Sequence, residues 1–444
     1  MTLCLDKRFL IDYSFWYLSM LIYKTIKEVT MATAPKYIQD LVFTATFTED
    51  KKIKKAAREA IMKLAKKAGI YPASINDLYM AFGKKKVSGF TVPAFNVRTL
   101  TFDKARLIFQ LARLLKTNSF IFEIARSEMS YTDQEPAEYS TSILAAAVAE
   151  KYKGPVFIQG DHYQFKAKVF KETPQVEIKK IKDLIKKSIE AGFYNIDIDA
   201  STLVDLDRKT EKEQQKNNYE MTALLTKYIR SIEPKKVSVS IGGEIGHIGG
   251  KNSNPTEFKA FMDGYVKRIG KLTGISKVSV QTGTSHGGIP LPDGKIAEVS
   301  LDFEVLKSIS KVARDQYGIG GSVQHGASTL PNALFNHFPK NNTLEIHLAT
   351  GFQNIVYDYL PGPLKKEMFD WIKNNLKTEW KEGWSESQFI YKTRKKALGP
   401  FKKRLWMMTP AEKKPILQNL KKQFEFLMRK LNITGNRKIV DRYH

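Results

Sequence analysis

Between residues 70 and 360, short runs of β-branched and aromatic residues alternate with longer stretches whose apolar positions recur every three or four residues. The short runs predict strands at 89–97 (GFTVPAFNV), 120–125 (FIFEIA), 156–162 (VFIQGDH), 195–201 (NIDIDAS), 236–246, 277–287, 320–328 and 343–351. Helical patterns separate them at 102–115, 141–151, 176–191, 219–232, 255–272 and 303–317, and another follows at 364–375. Strand–helix alternation carried through eight rounds predicts an α/β fold, the (β/α)8 TIM barrel. An open doubly wound sheet would have fewer strands and a glycine-rich nucleotide turn, and neither GxGxxG nor GxxxxGK[ST] occurs.

Both ends of the chain predict helical extensions, giving an organisation of 1–72, a barrel at 73–362, and a basic helical segment at 363–444. Residues 49–68 form an amphipathic pattern with Ile53, Ala57, Ile61 and Leu64 on one stripe. From Glu386 onward the chain is helical, basic and rich in aromatics, and Phe389, Leu405, Leu417, Phe424 and Leu427 predict a face packed on the barrel or on a second subunit. The apolar stretch 9–23 is short for a membrane span, is interrupted by Asp12 and lacks a small-residue cleavage site. Met31 opens a second candidate start, so residues 1–30 are either untranslated or a weak membrane-surface anchor.

Charge changes the picture only at the ends. The chain of 444 residues carries 72 Lys/Arg against 46 Asp/Glu, a net +26. Residues 361–444 contribute +13 of this (21 basic, 8 acidic) and residues 1–72 contribute +6 (13 basic, 7 acidic), leaving +7 for the rest. Such an excess suits an acidic partner such as nucleic acid, an anionic membrane or a phosphorylated metabolite; with no RNP-type or other nucleic-acid motif beside it, nucleic acid is the weaker expectation, and no membrane partner is expected. A single cysteine, Cys4, excludes an internal disulfide and a Cys-cluster zinc site, and points to a reducing compartment, the cytoplasm.

Seven histidines are present, and four of them, His162, His286, His325 and His347, stand at or near predicted strand ends. In a barrel those ends open into one mouth, where histidines from separate strands converge. Three imidazoles with an open fourth position form a catalytic zinc arrangement. Asp161, Asp199 and Glu244 lie at the same level, either as metal contacts or as supports of the ligands. Small residues follow the histidines, at Gly287–Gly288 and at Gly326, Ala327 and Ser328, leaving backbone N–H groups open to a phosphate.

The ordered segments PAFN (93–96), GDH (160–162), IDAS (198–201), EIGHIGG (244–250), GTSHG (283–287), HGAS (325–328) and LAT (348–350) resemble the class II, zinc-dependent fructose- and tagatose-bisphosphate aldolases, across roughly residues 74–360. The resemblance implies one catalytic Zn²⁺ on His162, His286 and His325, and a possible second divalent site using Asp199 and Glu244. It implies Asp161 as the proton-transfer residue. It also implies Asn96, Gly287, Gly326, Ser328, His347 and Thr350 as substrate contacts. A homo-oligomer, dimer or tetramer, and a role in glycolysis and gluconeogenesis follow from the same resemblance.

Three departures stand against that pattern. His347 occupies the position of the family's Asn in the last motif, and HGGSG reads HGAST at 325–329. The family's long loop with a glutamate that exchanges the enediolate proton is reduced to KNSNP at 251–255, where Glu257 is the nearest carboxylate. The leading expectation is an aldolase acting on fructose 1,6-bisphosphate. The alternatives are a tagatose-bisphosphate aldolase, a non-catalytic, aldolase-like partner subunit and, as the third reading, an RNA-associated protein using the basic tail.

Overall fold

The computed structural model describes residues 34–246, 251–283, 291 and 301–444. The stretch 9–23, Met31, His247, His286 and Gly287 lie outside the described residues. Among the described residues nine strands form one parallel sheet: β1 (Ile70–Ala73), β2 (Val92–Asn96), β3 (Ile121–Ala125), β4 (Gly154–Gln164), β5 (Asn195–Asp199), β6 (Ser240–Glu244), β7 (Lys277–Val280), β8 (Ser322–Gln324) and β9 (Glu345–Leu348). Strands β2 to β9 close into a ring through the β2–β9 and β4–β5 pairings. The chain is therefore a closed eight-stranded (β/α)8 barrel with helical extensions at both ends.

The ninth strand, β1, pairs with the first half of β4, from Ile70 opposite Gly154 to Ala73 opposite Phe157, and stays outside the ring. Four residues including Pro72 carry too little pattern to be read as a strand. The predicted run 156–162 lengthens to Gly154–Gln164, and the other runs shorten to the length that finds a partner. The run at 236–246 is a strand only over Ser240–Glu244, where it pairs with β5 and β7. Helix Phe303–Tyr317 coincides with its pattern; Asp302 caps its start through Glu304 and Val305 N–H, and Gly318 at φ 65° ends it.

The barrel interior is unusually charged. Lys277 Nζ lies 2.7 Å from Gln159 Oε1, 3.0 Å from Asp197 and 2.6 Å from Glu345 Oε1, and Tyr79 donates to the other oxygen of Glu345. Lys277 is completely buried and stays protonated: burial opposes its charge, and Asp197 and Glu345 outweigh it.

The extensions pack on the β2–β3 side. Helix Pro410–Lys430, started by the reciprocal Thr409 and Glu412 cap, sends Phe424 against Phe95 (5.3 Å between ring centres) and Phe352 (4.7 Å). Phe389, Leu405, Phe424 and Leu427 are buried, and Leu417 is half-buried. Trp406 meets Phe47 and Phe102 at 5.6 and 5.9 Å, so the first described helix, Ala34–Phe47, and the C-terminal segment share one core. No helix among the described residues is long and apolar enough to cross a membrane.

Candidate active site

Consecutive residues of a regular strand point to opposite faces, so Asp161 and His162 should not share the mouth. The structure resolves this with a bulge: the β4–β5 register shifts between Gly160 and Tyr163, and His162 adopts φ 42°. Tyr163 folds back over Gly160, where a Cβ would lie 2.3 Å from the Tyr163 ring, and bonds Ser188 Oγ. Both Asp161 and His162 consequently line the same cavity.

His162 Nδ1 lies 3.0 Å from Asp199 Oδ2 and 3.2 Å from Glu244 Oε2, while its Nε2 faces His325 Nδ1 at 2.7 Å. His325 Nε2 is 2.8 Å from Ser279 Oγ. Each ring is thus oriented from behind on one nitrogen and turned toward the other ring with its second, the support that metal-binding histidines require. Asp199 is itself held by Ser201 Oγ (2.7 Å) and Gln164 Nε2 (2.6 Å).

The electrostatics of this cluster call for positive charge. Burial opposes ionisation of Asp199, but hydrogen bonds from His162, Ser201 and Gln164 keep it below the usual carboxylate range. Burial, reinforced by the charge on Asp199, pushes Glu244 up to about 7. Burial also opposes a charge on His162, yet Asp161, Glu244 and Asp199 raise it well above its ordinary value. Asp161, buried among His162, His347 and His325, is held well below its usual range despite its burial.

His347 lies beside them. Its Nδ1 is 2.8 Å from Glu123 Oε2 and 3.3 Å from Asp161 Oδ1, its Nε2 is 2.6 Å from Glu345 Oε1, and its ring stacks on His325 at 4.0 Å. Glu123, Asp197, Lys277 and Glu345 were not singled out by the strand-end argument. Their signal is nonetheless present as charged residues among the apolar ones of short strands: one in FIFEIA, alternate positions in NIDID and EIHL, and the first position of KVSV.

The cavity has a volume of about 590 Å³, and Asn96, Asp161, His162, Gly326, Ser328 and Thr350 are among its walls. Asn96 donates to Glu128, which also holds Arg98 (2.7 Å). Ser328 Oγ accepts the Gly351 N–H at 3.0 Å. Lys395 and Lys396, from the C-terminal segment, reach the same cavity. Glu257 does not: its backbone N–H donates to the helix-capping Asn254 Oδ1 at 2.9 Å and its carboxylate takes a hydrogen bond from Gln215 Nε2 at 2.9 Å, away from the cavity lining.

Could a metal ion fit? Among the described residues, donor atoms of Asp161, His162 and His325 lie within 4.8 Å of one another, as do those of His162, Asp199 and Glu244. Imidazole nitrogen with carboxylate oxygen suits a divalent transition ion. The residues present fit such a group.

Fold and mouth together define a (β/α)8 barrel with an imidazole- and carboxylate-lined site at the C-terminal ends of its strands. The chain belongs to the class-II fructose-bisphosphate aldolase family, whose model matches residues 76–428. A fructose-bisphosphate aldolase of Giardia intestinalis is 24% identical over 257 residues, 57% of this chain and 65% of the relative, so the match spans less than two thirds of that protein. Among solved structures, the fructuronate-tagaturonate epimerase UxaE of Cohnella laeviribosi matches with a TM-score of 0.59 at 11% identity, covering 85% of this chain and 86% of that one. A probable tagatose 6 phosphate kinase from Sinorhizobium meliloti matches with a TM-score of 0.53 at 12% identity, covering 80% and 99%. At these identities the structural likenesses establish the barrel alone.

Proposed function

We propose that this chain is a zinc-dependent aldolase that cleaves and forms a ketose 1,6-bisphosphate, with fructose 1,6-bisphosphate as the leading substrate and dihydroxyacetone phosphate and glyceraldehyde 3-phosphate as products. The observation that carries this reading is the bulge in β4, which turns Asp161 and His162 into the one mouth that His325 and His347 also line. His162 and His325, with His286 as third ligand, would hold the ion, and Asp199 and Glu244 support His162 or a second divalent ion. A divalent ion there supplies electrophilic stabilisation of the negative charge that develops on the dihydroxyacetone phosphate half.

Asp161 is ionised among three imidazoles, so it accepts the C4 hydroxyl proton in cleavage; the C3–C4 bond breaks as the aldehyde forms, and the proton returns in condensation. Asn96, Ser328 and Thr350, with backbone N–H groups around Gly326, orient the phosphate-bearing half. On the same reading the chain acts in glycolysis and gluconeogenesis, in the cytoplasm, as a homo-oligomer. The intact set of donors around His162 argues against a non-catalytic partner subunit.

The test combines metal analysis of purified protein with an assay of triose phosphates released from fructose and tagatose 1,6-bisphosphates. About one tightly held divalent ion and cleavage of one epimer support the proposal. A metal-free protein with full activity, or a metal-bound one that cleaves neither epimer, overturns it.

A further inference from the structure

His347 sits between two groups of buried residues and touches both. Below it lies the barrel floor, where Glu345 is gripped by Lys277 (2.6 Å), Gln159 Nε2 (3.1 Å) and Tyr79. Above it lie Asp161 and His325. The imidazole takes Glu345 on one nitrogen at 2.6 Å, meets Glu123 and Asp161 with the other at 2.8 and 3.3 Å, and lays its face on the His325 ring at 4.0 Å with an interplanar angle of 25°. Glu123 is fixed in turn by Gln159 Nε2 at 3.3 Å. Asp161 Oδ1 is closed to solvent and takes no hydrogen bond among the described residues, so the ion-pair contact with His347 Nδ1 at 3.3 Å is what faces it.

From this arrangement we infer that His347 is a positioning residue rather than a substrate contact: it aims the carboxylate of Asp161 and fixes the ring plane of His325 at once. The inference rests on the aldolase reading for the role of Asp161, but its arm through His325 concerns metal affinity and stands apart from the reaction. The physical reason is the rigidity of a planar ring held on three sides. An asparagine at this position is shorter, has no face to stack on His325, and cannot span from Glu345 to Asp161. A side chain whose own rotamer is locked by packing and buried hydrogen bonds transmits that order to the groups that touch it.

The experiment uses full-length His347→Asn and His347→Gln, each alone and combined with Asp161→Asn, with circular dichroism to confirm folding. Zinc affinity is measured by chelator competition, and kcat and KM by triose phosphate release. Expected for His347→Asn is a loss of about 10–100-fold in zinc affinity, the usual weight of a group that orients a ligand. A fall of about 10–100-fold in kcat with KM within about threefold should accompany it, and that fall should largely vanish when Asp161 is already Asn, because a residue acting through Asp161 has nothing left to position. His347→Gln, with a longer donor, should recover part of kcat but not the zinc affinity that depends on ring stacking.

Zinc affinity within twofold of wild type in His347→Asn overturns the arm through His325. A kcat loss that persists undiminished in the Asp161→Asn background, or a change confined to KM, overturns the arm through Asp161 and returns His347 to substrate contact. Should the wild type bind zinc yet cleave neither bisphosphate, the aldolase proposal fails, and the His325 arm is still decided by zinc affinity.

Discussion

Gly242 faces Lys277 across the β6–β7 pair, and the Cβ it lacks would fall 2.2 Å from Asp197 Oδ1 and 3.0 Å from Lys277 Cε. The glycine leaves the space in which the lysine crosses the barrel to Glu345. Gly242→Ala should therefore destabilise the fold by about 1–3 kcal/mol through overpacking. Lys277→Met should cost more, about 3–5 kcal/mol, because Asp197 and Glu345 would stay buried without their cation. Denaturant midpoints check both, and equal, small effects would contradict the ordering.

Asp161→Asn should retain the metal and lower turnover by roughly 10²–10⁴, the range of a lost general acid/base. Metal content and steady-state rates on the same preparation decide it. Turnover within a few-fold of wild type would move the proton transfer to another group.

The segment Arg394–Ala397 is tied down on both sides, by Tyr357 donating to Arg394 O (2.7 Å) and by Gly399 N–H donating to Tyr131 O (3.0 Å). Between these ties Lys395 and Lys396 meet the cavity, with Lys396 braced by Glu379 at 2.5 Å. Replacing both lysines with alanine should raise KM for a ketose bisphosphate about tenfold and change kcat by less than threefold, the pattern of lost phosphate binding without lost chemistry. A selective loss of kcat in initial-rate measurements would refute it.

Lys104 is buried on helix Thr101–Leu114, and burial, with Arg98 nearby, lowers its ammonium from 10.5 to about 7. In that window the unfolded chain binds a proton that the folded chain has lost, so stability rises with pH between about 7 and 10.5, and the cost of the lysine is complete below about 7. Lys104→Met should stabilise the protein by roughly 1–4 kcal/mol at pH 7, and the gain should shrink toward pH 10. Thermal or denaturant midpoints across that range test it. A gain that does not vary with pH would show that packing alone is responsible.

The alternation of strand and helix, the placement of His162, His325 and His347 at strand ends, and the apolar face of the C-terminal segment are local properties. They depend on a side-chain period of two or 3.6 residues, which any stretch of chain displays on its own, so sequence determined the barrel and the level at which its chemistry lies. What stayed hidden depends on partners distant along the chain. The φ of 42° at His162 follows from a register shift against β5 and from Tyr163 folding onto Gly160. Likewise, Lys277 meets Gln159, Asp197 and Glu345 only because strands 118, 80 and 68 residues away close into one ring. Position in a strand says which face a side chain takes. Which charge it finds there, and whether two neighbours such as Asp161 and His162 can share one mouth, was decided by the tertiary structure, because register and closure are properties of paired strands and of no strand alone.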